Sequence, residues 1–233
     1  MANVLFPTTI IDNFFDNPYD VRKLALSTKF YPNNDGRWPG ARSAGIHKIN
    51  RELFEHIASK ILGLFYDLND IDNYILQSTF QHIIPSEEKN SPLNRGFIHR
   101  DHVLLGGVIY LDEDYEEGIG TSIYTPKNSW YANSGKNDLS EFVNKLKKRK
   151  YRDGYSFNSD DLETWDKHRD RFNETITVQN VFNRCILFDG TSFHGVPHFG
   201  TKERLTLNVF FENITFVPTD RTPTYPMYRS TLI

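Results

Sequence analysis

Two histidines, an aspartate and an arginine are spaced so that they could do chemistry together. His99 and Asp101 sit one residue apart in GFIHRDH, and His194 lies far downstream in TSFHGV. On an extended backbone, residues i and i+2 point to the same side, so the imidazole and carboxylate of His99-x-Asp101 can reach one ion. His194, from a distant strand, would add a third donor. Two histidines and one carboxylate on one face of a metal suit a non-haem Fe(II) centre, because three positions stay open for a bidentate co-substrate and dioxygen. Arg204 follows His194 by ten residues, with Thr206 two further on. Arginine grips a carboxylate through two parallel hydrogen bonds, and a threonine on the same face can donate a third. A buried arginine facing a metal implies an anionic ligand spanning the gap.

Each part has a plainer reading on its own. An isolated His-x-Asp is also what a surface turn or a hydrogen-bonded pair looks like, and a single strand-end histidine is often structural. The joint occurrence gives the set its weight. Other residues compete for the same roles. His198 shares a side with His194 by parity but follows Pro197 in a turn. His102 adjoins Asp101 and should point the other way. His82 and Asp189 are chemically possible donors without a pattern behind them.

The elements that must position these residues are short strands. Asn183–Phe211 reads as strand, turn, strand: an apolar run ending at Asp189-Gly190, an extended piece carrying His194, a reversal over His198–Glu203, then alternation from Arg204. Arg204, Thr206 and Asn208 fall on one face, and Leu205, Leu207 and Val209 on the other. A reversal near Phe199-Gly200 would bring Arg204 back to the level of His194. Upstream, Val103–Leu111 is a near-continuous apolar run with internal glycines, as in a strand covered on both faces. Gly120–Tyr124 and Tyr74–Ile84 read as further strands.

Before these come a short strand within Val4–Ile11, a helix from Asn17 to Ser27, and a loop, Phe30–Ser43, holding Trp38-Pro39-Gly40-Ala41-Arg42. That loop could touch a substrate, although a tryptophan plugging the edge of the core is the plainer reading. A helix follows Asn50, with Leu53, Ile57, Ile61 and Leu64 on one face. Between about 125 and 174 the strand pattern gives way to two short helices. One ends in Lys145–Arg152, six positive charges in eight residues. This stretch reads as a lid-like insertion and its basic run as a solvated helix end, with attraction of an acidic or nucleic-acid substrate as the alternative. Asn213–Ile233 reads as an extended tail.

The motif order His99-x-Asp101, His194, Arg204-x-Thr206 resembles the 2-oxoglutarate- and Fe(II)-dependent dioxygenase superfamily, including its prolyl-hydroxylase-like members. GFIHRDHVLLGGVIYLDEDYEEGIGTSIY is similar to that family's first metal segment, and SFHGV with RLTLNVFF to its second. The resemblance implies a mainly β fold with flanking helices: a double-stranded β-helix, or jelly roll, buttressed by N-terminal α-helices. It implies Fe(II) on His99, Asp101 and His194, with 2-oxoglutarate chelating the iron, its distal carboxylate on Arg204 and Thr206, and a further hydrogen bond to it from an earlier strand, for which Gln81, Tyr110 and Tyr124 are the candidates, each with an alternative as a core or rim residue. The implied activity is hydroxylation of a substrate C–H bond, coupled to decarboxylation of 2-oxoglutarate to succinate. The aspartate disfavours the halogenase variant. A non-catalytic jelly-roll binder and a cupin-type metalloenzyme without a co-substrate are the alternatives.

Composition limits the rest. A chain of 233 residues suits one domain, 1–233, large enough to bury a core. A net charge of −3 gives no general pull toward nucleic acid or anionic membrane. Cys185 is the single cysteine, which excludes an internal disulfide and suits a reducing, cytoplasmic setting. Neither a secretory signal nor an apolar run of membrane-spanning length is visible. A small molecule, a protein side chain and a nucleobase all remain open as substrate.

Overall fold

The fold was analysed in a computed structural model, which describes residues 6–36, 38–85, 94–114, 116–127, 138–153 and 157–218. It is mainly β, with helices on one side. Ten strands run in order: β1 (Thr9–Ile11), β2 (Phe30–Pro32), β3 (Ala41–Gly45), β4 (Ile71–Ile83), β5 (Leu105–Tyr110), β6 (Gly120–Pro126), β7 (Phe172–Gln179), β8 (Cys185–Asp189), β9 (Phe193–Gly195) and β10 (Arg204–Phe216). They form a seven-stranded sheet, β1-β8-β5-β10-β4-β3-β2, and a three-stranded sheet, β7-β6-β9. All these pairings are antiparallel. This is the two-sheet architecture of a double-stranded β-helix.

Alternation along β10 explains why the large sheet has two different faces. Leu205, Leu207, Val209 and Phe211 turn one way and are buried with Leu105 and Ile109 of β5 and Phe80 of β4. Two helices cover that face: α1 (Pro18–Ser27) and α3 (Arg51–Phe65), the second preceded by a single turn, α2 (Ile46–Ile49). In α3 the residues Phe54, Ile57, Ala58, Ile61, Leu62 and Phe65 make the buried stripe, while Leu53 and Leu64 sit at its margins. Asn50 caps the helix by accepting from the Leu53 amide at 2.9 Å. With one face sealed by apolar contacts, the register of the sheet is fixed, because a one-residue slip would put every polar residue into the core.

The other face of β10 carries Arg204, Thr206, Asn208, Phe210 and Glu212, and it looks across a cavity toward the small sheet. Helices α4 (Asp138–Asp153) and α5 (Ser159–Arg169) fall between β6 and β7. Asn158 and Asp161 form a reciprocal capping box at the start of α5.

Four expectations need correction. The loop expected over Phe30–Ser43 holds β2 and the start of β3. β9 and β10 do not form a hairpin: β9 pairs with β6 in the small sheet, and β10 pairs with β4 and β5 in the large one. The reversal after His194 therefore carries the chain from one sheet to the other. β10 extends to Phe216, so the first part of the expected tail is strand. β7 begins at Phe172, within the range assigned to the insertion. Residues 4–5 of the first expected strand, 128–137 and 154–156 of the insertion and 219–233 of the tail lie outside the described residues.

Candidate metal and carboxylate site

His99 and His194 meet in an antiparallel bridge at the edge of the small sheet. The His99 amide donates to the His194 carbonyl and the His194 amide to the His99 carbonyl, both at 2.9 Å. This isolated bridge extends β9 on the side away from β6. Asp101 is held by its own amide, which donates to the Gly190 carbonyl at 2.9 Å. Gly190 has to be glycine: a Cβ there would lie 2.0 Å from the Val103 carbonyl oxygen.

Each imidazole donates through Nδ1 to the carbonyl two residues before it. His99 reaches Phe97 at 2.8 Å and His194 reaches Ser192 at 3.0 Å. Both Nε2 atoms are thereby turned toward Asp101, at 3.7 Å from Oδ1 for His99 and 3.2 Å from Oδ2 for His194. The three potential ligand atoms all lie within 4.8 Å of one another. Donors about 2 Å from a shared ion lie up to about 4 Å apart, which the 3.7 and 3.2 Å separations from Asp101 meet, so His99, Asp101 and His194 could hold a metal. Burial works against ionisation of Asp101, but the hydrogen bond from His194 and the charges of His194, His99 and Lys147 hold its carboxyl below the usual range. Burial, with the charge of Lys147 adding to it, also lowers the pKa of His99. An anionic carboxylate and a neutral imidazole are the forms that bind metal.

A row crosses the large sheet beside the triad. Arg42, Gln81, Thr206 and Tyr110 are successive cross-strand neighbours on β3, β4, β10 and β5. Arg204 stands one step along β10, 3% exposed. Its Nη2 donates to the Gly120 carbonyl at 3.2 Å, and its guanidinium carbon lies 5.5 Å from the centre of the Tyr110 ring. Its Nε and Nη1 have no hydrogen-bond partner among the described residues. Leaving buried charged N–H groups unpaired is costly, and a guanidinium with unpaired donors suits an anion such as a carboxylate. The donor set of the triad and these orphaned donors both fit a metal ion with a co-substrate whose far end is a carboxylate.

The remaining sequence candidates divide. Thr206 lines the cavity and donates to Asn208 Oδ1 at 3.3 Å. Gln81 also lines it, but its side chain is engaged: Nε2 donates to the Pro39 carbonyl at 2.6 Å, and Oε1 accepts from Asn208 Nδ2. Tyr110 lies beneath Arg204 and donates to Thr121 Oγ1 at 2.8 Å, so it backs the site without facing the cavity. Tyr124 is not brought there; it packs with Ile98, Phe172 and Phe193. Among the competing ligands, His198 accepts from the Gly200 amide at 2.8 Å, His82 pairs with Glu203 at 3.0 Å, and His102 is exposed. Asp189 takes the Phe6 and Thr191 amides at 3.0 and 2.8 Å.

Two contributors were undervalued from sequence. Trp38 and Arg42 both face the cavity, with the Arg42 guanidinium 4.3 Å from the tryptophan ring centre. The basic run of α4 is not simply solvated. Lys147 faces the cavity, and Lys150 lies over Phe97 and Trp165 while donating to the Arg95 carbonyl at 2.9 Å. The helical spacing of Leu146, Lys150 and Tyr151 could have indicated this face, but six charges in eight residues hid it.

The cavity has a volume of about 1050 Å³ and opens between the two sheets. That is enough for a co-substrate and an organic molecule together. No helix among the described residues is long and apolar enough to cross a membrane.

Solved structures of 2-oxoglutarate–Fe(II) oxygenases share this fold. A prolyl hydroxylase from Trichoplax adhaerens, in complex with a hypoxia inducible factor peptide fragment, matches at 15% identity and a TM-score of 0.50, over 88% of this chain and 83% of its own. HygX from Streptomyces hygroscopicus, with nickel and 2-oxoglutarate bound, matches at 14% identity and a TM-score of 0.52, over 92% and 84%. The α-ketoglutarate-dependent carbocyclase SnoK from nogalamycin biosynthesis matches at 12% identity and a TM-score of 0.50, over 92% and 83%. A search of curated proteins finds no sequence match. A family model does match over residues 5–211, and the chain belongs to that family, DUF6445, a family of unknown function.

Proposed function

We propose that this protein is an Fe(II)- and 2-oxoglutarate-dependent oxygenase that hydroxylates a C–H bond of an organic substrate. The observation that carries the reading is the orphaned, buried N–H pair of Arg204 on the same cavity as the His99–Asp101–His194 triad. The fold shared with HygX, whose structure holds nickel and 2-oxoglutarate, supports it. Carbocyclases share the fold as well, so hydroxylation is the finer part of the proposal.

In this reading His99, Asp101 and His194 bind the metal, and the Phe97 and Ser192 carbonyls keep both Nε2 atoms aimed at it. Arg204 and Thr206 hold the distal carboxylate of 2-oxoglutarate, with Tyr110 fixing the guanidinium from behind. Gln81 acts at one remove, by orienting Asn208 and accepting from Arg42 Nη2 at 3.4 Å. Iron and 2-oxoglutarate, when bound, supply an oxidant from dioxygen at the cost of carbon dioxide and succinate. Phe188 and Val108 line the cavity and keep it partly apolar, which limits water beside the metal. The chain acts as one domain, and α4 and α5, between β6 and β7, serve as its lid.

Anaerobic titration with Fe(II) and then 2-oxoglutarate tests the reading. A weak visible charge-transfer band should appear in the wild type and be lost in His99→Ala. Arg204→Ala should need far more 2-oxoglutarate to reach it. Iron binding without any band would leave a cupin-like or purely binding protein instead.

A further inference from the structure

The cavity has a second cationic pole that neither metal nor co-substrate binding uses. Arg42, on β3, is half-buried, but its Nε is sealed from solvent and has no hydrogen-bond partner among the described residues. Its guanidinium lies between two aromatic rings, 4.3 Å from the centre of Trp38 and 5.6 Å from that of Phe210. Lys147 faces the same space from α4, which belongs to a different part of the chain. The two cations repel each other, and both are drawn to the charge of Asp101. Burial lowers the pKa of Arg42 to about 10 and that of Lys147 to about 8, so both are mostly charged at neutral pH.

Charge bookkeeping then favours a further anion. With the site loaded, a divalent ion and Arg204 balance Asp101 and a dicarboxylate, so Asp101 no longer neutralises Arg42 and Lys147. The cavity's other acid, Glu212, is exposed and keeps its charge beside the neutral Gln77 Nε2, 2.5 Å away, so it offsets one cation. Arg100 and Lys148 also line the wall. The cavity is thus cationic within a chain of net charge −3, which concentrates anions at its mouth.

We propose that Arg42 and Lys147 form the substrate-recognition pole of this site, and that the molecule oxidised is a small organic anion. Its carboxylate or phosphate lies between the two cations, and its body packs on Trp38 and Phe210. The identification of this anion as the substrate rests on the oxygenase reading; the anion site itself does not.

The test uses the full chain with Mn(II) and saturating 2-oxoglutarate, which engage Asp101 and Arg204, and calorimetry with three probes on one naphthyl body: 2-naphthoate, 2-naphthyl phosphate and neutral 2-naphthamide. One or both anions should bind at least ten-fold more tightly than the amide, and the stronger of them names the carboxylate or phosphate source. Arg42→Met and Lys147→Met should each weaken anion binding about ten-fold, the loss expected for one charged hydrogen bond. Lys147→Met is on a helix outside the sheets, so it reports even if Arg42→Met fails to fold. Arg204→Met should leave the naphthyl anions bound while weakening 2-oxoglutarate, measured separately with Mn(II). Equal binding of amide and anions, no binding of either anion, or loss of the anions only in Arg204→Met would each overturn the proposal. Failure of 2-oxoglutarate to bind the wild type, with the naphthyl pattern intact, would remove the oxygenase reading and leave the anion site.

Discussion

His99 and His194 exchange both of their main-chain hydrogen bonds, and their imidazole centres lie 4.5 Å apart as a result. The pair is built by the backbone. Side-chain packing then refines it: Phe188 lies 4.3 Å from the His194 ring centre and limits how that ring can turn. Asp101 is placed by the same logic, through its amide bond to Gly190.

Metal affinity should therefore be sensitive to a residue that offers no ligand. In Gly190→Ala the new Cβ meets the Val103 carbonyl, and the loop carrying Asp101 must shift. Displacing a supporting contact of this type costs about 10- to 100-fold in metal affinity. Mn(II) titration followed by electron paramagnetic resonance should show that loss. Near-wild-type affinity would mean that Asp101 tolerates the movement.

Arg204 supplies a second prediction. With Mn(II) present, 2-oxoglutarate at a hundred times its Kd should stabilise the protein by about 2.7 kcal/mol. Arg204→Met should show none of this shift at the same concentration. Its melting temperature without ligand should hold or rise, because the variant removes two unpaired buried N–H groups. A large loss of stability in the unliganded variant would instead assign Arg204 a structural role through Gly120.

Asp112 should give a pH signature. It accepts from the Leu205 amide at 2.7 Å, yet burial outweighs that bond and the nearby charge of Arg204, and raises its pKa to about 6. The native state thus holds this proton more tightly than the unfolded chain, where the carboxyl titrates near 3.8. The contribution of Asp112 to stability is full below pH ~4 and falls as the pH rises to about 6, by at most roughly 3 kcal/mol. Asp112→Asn keeps the acceptor and removes the titration. The stability difference between wild type and variant, from urea unfolding of metal-free protein, should grow in the variant's favour across that window. A difference independent of pH would show that Asp112 titrates normally.

The sequence carried the site further than it carried the topology. His99-x-Asp101 was legible because period-two geometry is local, and Arg204-x-Thr206 for the same reason. Which sheet each strand joins is decided by long-range pairing. The chain between Gly195 and Arg204 looked like a hairpin turn, although it crosses between sheets. Tyr110 and Tyr124 looked equivalent in sequence; their separation follows from the faces of β5 and β6, one under Arg204 and the other against Phe172 and Phe193. The pole at Arg42 and Lys147 was not legible, because its members lie over a hundred positions apart and meet only when α4 packs over the cavity.

That packing depends on one small aromatic cluster. Trp165 of α5 stacks on Phe97 with ring centres 4.3 Å apart, and Leu146 of α4 is fully buried beside them. Phe97 is also the residue whose carbonyl orients His99. The cluster is separate from the main core beneath α1 and α3, so its loss should loosen the insertion first. Trp165→Ala removes a large buried side chain, which typically costs 3–5 kcal/mol (about that range) where the surroundings cannot collapse. Here the cost should appear as local opening. Hydrogen exchange in α4 and α5 should speed up, while α3, β4 and β10 keep wild-type protection. Binding of the naphthyl anions should weaken with it, because Lys147 rides on α4, and metal affinity should fall less, because His194 and Asp101 are anchored elsewhere. Uniformly faster exchange across β4 and β10 would show instead that the insertion and the jelly roll unfold as one unit.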